Sequence, residues 1–238
     1  MIDYFFGSYL TKYFKIDINY KSNNKNKLAV ILLATKTSFW LPLVIKNALH
    51  KIKNCNFYFI GTKESIFFIK NNLNLDINYI EIKDIKNISA YNKILLDDNF
   101  WKRFNEEYIL VIQPDCIILR DVIDKDYQFD YIGAICGNYN EFSFFINGGL
   151  SMRKKTVMID VCKNLNDNEK NGVIAEDIIF SEKIRCNKSY KFPSLNDCMN
   201  FSIESIGNLN NVLGIHGTDK YYIDSNIKYE FIKKYLKF

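Results

Sequence analysis

A mixed α/β domain, with a mostly parallel sheet flanked by helices, is predicted by three observations. Short apolar, β-branched runs recur through the first half of the chain, separated by segments of helical periodicity. Polar or turn-forming residues close most of those runs. Of the 238 residues 48% are apolar, with 19 Phe and 16 Tyr, ample for a buried core and too apolar for a disordered chain.

Residues 1–26 form an N-terminal aromatic segment in which Tyr4, Phe5, Phe6, Tyr9, Tyr13 and Phe14 suit an amphipathic helix. It lies either on the domain or on a membrane surface. The main domain is expected over 27–222. Leu28–Ala34 is a buried strand, followed by the polar turn Thr35-Lys36-Thr37-Ser38 and a helical pattern over Phe39–Ile52, where Pro42 falls in the tolerant first turn. Phe57–Ile60 and Tyr79–Ile82 are further strands, with a short helix at Glu64–Asn71 between them. Ser89–Phe104 reads as one longer helix carrying Tyr91, Ile94, Leu95, Phe100 and Trp101.

Tyr108–Ile112 is the fourth strand, of a length and composition suited to full burial. It stops at Gln113-Pro114-Asp115, because Pro114 has no N–H for a ladder. A carboxylate is thus delivered at the carboxyl end of a buried strand, where open α/β sheets bind ligands. A plain turn residue beside a proline is the other reading of Asp115. A second apolar run, Cys116–Leu119, follows directly.

After Arg120 the alternation loosens. Tyr131–Ile135 and Phe144–Ile146 read as strands on either side of a polar turn at Asn138–Glu141, and the second runs into Asn147-Gly148-Gly149. Thr156–Leu165 is helical, Leu165–Gly172 a loop, and Ala175–Ile184 a helix with an acidic start, Glu176-Asp177. Asp197–Ser202 is a short helix after the turn at Phe192-Pro193, and Leu213–Gly217 a strand end. The chain closes with an amphipathic helix in 223–238.

Charge and cysteine content narrow the classes. The 32 basic and 27 acidic residues leave +5, a mild excess read as spread along the chain, so nucleic acid is not an expected partner. Cysteines 55, 116, 136, 162, 186 and 198 lie far apart with no Cys-x-x-Cys, which leaves zinc and redox motifs unsupported. Met1–Leu10 lacks a basic start and a cleavage site, and no apolar run approaches the roughly 20 residues of a membrane span. A reduced, cytoplasmic protein is expected, with aromatic, lysine-rich termini that allow peripheral contact with the inner membrane face.

Several chemistries are missing: no Gly-x-Gly-x-x-Gly after the first strand, no Gly-Lys-Ser/Thr phosphate loop and no Gly-x-Ser-x-Gly elbow. The candidates that remain are polar groups at strand ends. Asp115 and His216 offer an oxygen and an imidazole that with diphosphate oxygens and water complete a divalent-metal site, a structural histidine being the other reading of His216. Asn147 has both donors and an acceptor for hydroxyls, and Gly148-Gly149 permits close backbone approach. Glu176 and Asp177 project about 100° apart on a helix, so one of them enters a cleft; the alternative is that both serve the helix dipole.

Together these residues resemble the DUF5672 family, glycosyltransferase-like proteins with the GT-A (Rossmann-like) fold of nucleotide-diphospho-sugar transferases. The resemblance spans Tyr91–Tyr221. It rests on Tyr91-Asn92, Phe100-Trp101, Glu107–Leu110 into Gln113-Pro114-Asp115-Cys116, Asp130–Ala134, Asn147–Ser151, Glu176–Ser181, Phe201–Glu204 and His216-Gly217. It implies that Gln113-Pro114-Asp115 stands where GT-A enzymes carry Asp-x-Asp, with Gln113 replacing the first acid, and that His216 supplies a late ligand to Mn²⁺ or Mg²⁺. It also implies donor contacts from Tyr91, Asn92, Gln113, Asp115, Asn147, Gly148 and Gly149, with Ala34, Thr35 and Lys36 touching the nucleoside. The expectation is a glycosyltransferase carrying a sugar from a nucleotide donor, UDP-linked by preference, to a saccharide or lipid-linked saccharide acceptor in polysaccharide or glycoconjugate synthesis. Asp177 is the chosen base if configuration inverts, with Glu176 second; if it is retained, both acids only position the acceptor. A non-catalytic sugar-nucleotide-binding or assembly protein on the same fold is the alternative.

Overall fold

The computed structural model describes residues 4–140, 143–218 and 224–236; the expected turn at 138–141 lies partly outside them. Helix α1 (Tyr4–Thr11) leads through a 3₁₀ turn to β1 (Leu28–Leu33), followed by α2 (Leu41–Lys51), β2 (Cys55–Gly61), α3 (Lys63–Asn72), β3 (Asn78–Glu81), α4 (Ile88–Leu95), α5 (Asp98–Trp101) and β4 (Tyr108–Ile112). This half keeps the predicted strand–helix rhythm. The exception is the expected single helix 89–104, which breaks because Asp97 caps a new helix by accepting the N–H of Asn99.

The second half adds β5 (Ile117–Ile118), β6 (Tyr131–Asn140), β7 (Ser143–Lys154), α6 (Lys155–Lys163), α7 (Asp167–Lys170), α8 (Glu176–Cys186), α9 (Leu195–Phe201), β8 (Ser202–Ile203), β9 (Gly214–Ile215) and α10 (Ser225–Phe231). Helix α7 forms inside the expected loop 165–172 because Asn166 and Glu169 make a capping box.

The main sheet has six strands in the order β3-β2-β1-β4-β7-β6. The first four are parallel, and β7 runs antiparallel to both β4 and β6. The result is a mixed, mostly parallel sheet flanked by helices. Every residue of β1 is buried, as its unbroken apolar sequence requires of a central strand. The second apolar run, 116–119, does not join this sheet; β5 pairs with β9 in a separate three-stranded sheet, β5-β9-β8.

One irregularity positions the site. Strand β7 does not end at Ile146 but continues to Lys154, and its register against β6 jumps from Ile135–Ile146 to Gly133–Ser151. Asn147–Leu150 therefore bulge opposite the single residue Ala134, while Leu150 still pairs with Ile112 of β4.

The termini belong to the same core. Phe6, Tyr9, Tyr13 and Phe231 are buried in it, with the Phe6 and Phe231 rings 4.8 Å apart. Packing, rather than a lipid surface, thus takes up these aromatics. No helix among the described residues is long and apolar enough to cross a membrane.

Candidate functional site

Strand order reverses at β1: the chain moves outward through β2 and β3, then returns to place β4 on the other side. In open α/β sheets such a switch leaves a crevice at the carboxyl ends of the two central strands. A cleft of about 430 Å³ lies there, lined by Leu33 after β1, Gln113-Pro114 after β4, the bulge Asn147–Gly149, Tyr91 and Asn92 of α4, Ala175–Asp177, and His216. A second cleft, of about 400 Å³, contains Arg120, but that guanidinium is held at two points by Asp126.

At one wall, Gln113 sits between two partners. Its Nε2 donates to the Tyr91 hydroxyl at 3.2 Å, and its Oε1 lies 2.9 Å from His216 Nε2. His216 Nε2 is also 3.5 Å from Asp115 Oδ1, and Nδ1 is 3.6 Å from Glu204 Oε1. His216 follows β9, where its N–H donates to the Ile203 carbonyl. The Asp115 carbonyl accepts from the N–H and hydroxyl of Thr218, which fixes the turn after Pro114. Burial, and next the Glu176 carboxylate, push the Tyr91 phenol well above its usual range.

This wall fits a divalent cation as an open site. Asp115 supplies a hard oxygen, Gln113 an amide oxygen and His216 an imidazole, a donor set acceptable to Mn²⁺ or Mg²⁺. Among the described residues no three His, Cys, Asp or Glu side chains gather as a complete cage, so the remaining ligands would come from a diphosphate and water. Glu204 lies where an outer partner steadies a ligating imidazole.

The opposite wall is built on a buried ion pair. Arg153 of β7 is fully buried and binds both Glu176 oxygens, at 2.8 and 3.0 Å, while also donating to the Ser151 hydroxyl and the Gly148 carbonyl. Trp101, Tyr131 and Phe180 surround its guanidinium. Glu176, the second choice of base after Asp177, is thereby engaged in neutralising Arg153 while it lines the cleft. Asp177, next along the first turn of α8, accepts the Gly148 N–H at 3.1 Å and its neighbour Ile178's N–H. Burial, and then the Glu176 charge, raise its pKa to about 6.

The two glycines have a reason the sequence did not disclose. A Cβ on Gly149 would lie 2.2 Å from His216 Nε2, and one on Gly148 would lie 2.4 Å from Glu176 Oε1. They admit the protein's own side chains, and both also line the cleft. Asn147 accepts the Gly149 N–H at 2.7 Å, shaping the bulge.

Asn92 lines the cleft and is buried, and its amide donates to the carbonyls of Gly172 and Ile174, which holds the loop before α8. Ala34, Thr35 and Lys36 follow β1 but do not line the cleft; Leu33 does, Ala34 is buried and Lys36 points to solvent. Arg153 and Glu204 were not singled out from the sequence. The signal for Arg153 is a charge amid the apolar residues of β7, in alternation with Ser151. Glu204 has no comparable mark.

Residues 74–216 match the family described as Protein of unknown function (DUF5672). The chain belongs to that family. This match contains Tyr91, Gln113, Asp115, the Asn147–Gly149 bulge, Arg153, Glu176, Asp177, Glu204 and His216, so all of the cleft's lining but Leu33 is DUF5672 sequence. No curated protein matches the chain in sequence. Among solved structures, it is similar to a mannosyltransferase, PcManGT from Pyrobaculum calidifontis in complex with GDP-Man and Mn²⁺. That likeness covers 92% of this chain and 67% of the other, with 10% identity and a TM-score of 0.48.

Proposed function

We infer that this DUF5672 protein is a glycosyltransferase acting on a nucleotide-diphosphate sugar, with UDP as the preferred nucleotide and a saccharide or lipid-linked saccharide as acceptor. One observation carries the reading. The cleft at the β1/β4 switch opposes a cation-compatible corner, His216 and Gln113 with Asp115 beside them, to a half-buried acid, Asp177, whose pKa of about 6 suits proton transfer near neutrality. Group transfer from a diphosphate needs both: charge stabilisation on the leaving side and a base on the accepting side.

In this reading Asp115 and His216 would hold Mn²⁺ or Mg²⁺, and the ion would supply neutralisation of charge gathering on the departing diphosphate. Gln113 orients His216 and Tyr91. Asn147, at the bulge, presents its amide to the sugar hydroxyls. Asp177 takes the acceptor hydroxyl's proton, the role required for inversion. Arg153 and Glu176 position Asp177 and Gly148 without touching substrate.

A thermal-shift screen of nucleotide sugars, with and without Mn²⁺, followed by donor hydrolysis and transfer assays, tests this. Stabilisation by a donor together with its Mn²⁺-dependent turnover is expected, and Asp115→Ala should abolish turnover while leaving the unfolding transition intact. Undiminished transfer by Asp115→Ala would sink the assignment. Binding with no turnover under any condition would favour a sugar-nucleotide-binding protein instead.

A further inference from the structure

The positive charge of this chain is not spread along it. Residues 1–53 hold nine Lys and only two acids, Asp3 and Asp17, a net of +7, whereas residues 54–238 hold 23 basic and 25 acidic groups, a net of −2. Four of those lysines share a face where the turn after α1 packs on α2. Lys12, Phe14 and Lys15 stand exposed on the 3₁₀ turn after α1, and Lys46, His50 and Lys51 lie along α2.

Two further observations mark this surface. First, the cations crowd one another. Burial, and then Lys51, lower the pKa of Lys12 to about 8; burial, and then Lys53, lower that of Lys51; His50 is lowered by burial and by Lys53, Lys51 and Lys12. Asp121, near Lys53, accepts that residue's N–H, and it does not balance the group. Second, the cations adjoin an apolar groove of about 370 Å³ lined by Phe14, Phe39, Pro42, Leu43, Phe68 and Leu73, with Lys46 at its edge. Phe14 is 50% and Phe39 59% exposed, both far beyond what core residues show. Lys46 reaches the Phe14 and Ile16 carbonyls and so ties the two parts together.

We propose that this face, built from the turn after α1 and from α2, docks on an anionic lipid bilayer, with Phe14 and Phe39 entering the interface and Lys12, Lys15, Lys46 and Lys51 meeting the headgroups. Crowded cations beside an apolar groove complement such a surface on both counts: the headgroups relieve the repulsion and the acyl boundary covers the rings. A nucleic acid would satisfy only the charge. The Phe14 and Phe39 rings pack on each other, centroids 5.2 Å apart, instead of offering two open faces for bases, and aliphatic Pro42, Leu43 and Leu73 complete the groove.

Flotation of the full chain with vesicles of phosphatidylcholine alone, and of phosphatidylcholine mixed with phosphatidylglycerol, tests the proposal. Partition into the anionic vesicles only, weakening with salt, is expected. Lys15→Gln/Lys51→Gln should lower it about 25-fold, roughly fivefold per lysine. Phe14→Ser/Phe39→Ser should lower it further at high salt, where the charges are screened. Lys102→Gln/Lys188→Gln, outside the face, should leave it unchanged, and unfolding curves confirm that each variant is folded. No flotation with anionic vesicles, equal flotation of the wild type and the face variants, or retention on single-stranded RNA in place of vesicles would each overturn it. Failure here leaves donor turnover untouched, since none of these residues lines the cleft.

Discussion

Replacing Asp177 with Asn probes the acid on which the proposed chemistry turns, through stability as well as activity. Its pKa stands at about 6 in the fold against 3.8 ordinarily, because burial and then the Glu176 carboxylate disfavour its charge, more than the Gly148 and Ile178 N–H groups and Arg153 favour it. A carboxyl raised in this way stabilises the fold where it keeps its proton, and that contribution disappears as pH rises through about 6. From these two values the contribution is about 3 kcal/mol well below pH ~4, about 1.4 kcal/mol at pH ~5 and nil at pH ~8. Urea unfolding of wild type and Asp177→Asn at the last two pH values reads the difference directly. The wild type should gain about 1.4 kcal/mol on the variant between pH ~8 and pH ~5. In transfer assays the same substitution should cost about 10²–10⁴ in rate, and wild-type kcat/KM should climb through pH ~6. A stability difference that does not change with pH refutes the burial argument. Unaltered transfer refutes the base.

The other predictions concern the groups behind the cleft. Arg153→Met strands Glu176 as a buried, unpaired charge and should cost about 3–5 kcal/mol in urea unfolding, whereas Arg153→Met/Glu176→Leu should recover most of that loss. Gly149→Ala drives a methyl into His216; about 1–3 kcal/mol of stability and the Mn²⁺-dependent part of any donor-induced thermal shift should be lost together. Asn92→Ala leaves the Gly172 and Ile174 carbonyls without their donor, and limited proteolysis should then cut within 171–175 before the rest of the domain opens.

How much of this was legible depended on how local each signal was. The strands β1, β2 and β4 were legible because an unbroken β-branched run has no other place to go than a buried sheet, and Pro114 marks the end of β4 from the sequence alone. The bulge was not. Phe144–Ile146 looks like a complete strand, and only the two-sided pairing of β7 carries it through Asn147-Gly148-Gly149 to Lys154. The partners of Glu176 and Asn92 were hidden for the same reason. Both are polar helix residues lining a cleft, and each is tied to a group far along the chain: Arg153 for one, the 172–174 carbonyls for the other. Single-residue chemistry names the candidates. Burial and pairing, which are tertiary, decide which of them remain available.

Gln113 shows why the distinction matters. By sequence it is a missing acid, and so an argument against a metal. In the fold its amide does what a carboxylate would not: Nε2 donates to Tyr91 while Oε1 faces His216, and a carboxylate has no proton to offer the phenol at that point. Two tautomers of His216 fit this corner differently: a proton on Nε2 completes the 2.9 Å bond to Gln113 Oε1, whereas a cation on Nε2 requires the proton on Nδ1, which faces Glu204 at 3.6 Å. A second acid at 113 would hold the proton on Nε2 more firmly and add charge beside Asp115. With glutamine there, the corner carries less negative charge of its own, and a cation has more to gain by arriving with the donor diphosphate. In the proposed reading the glutamine would shift the order of binding, with the cation arriving together with the donor.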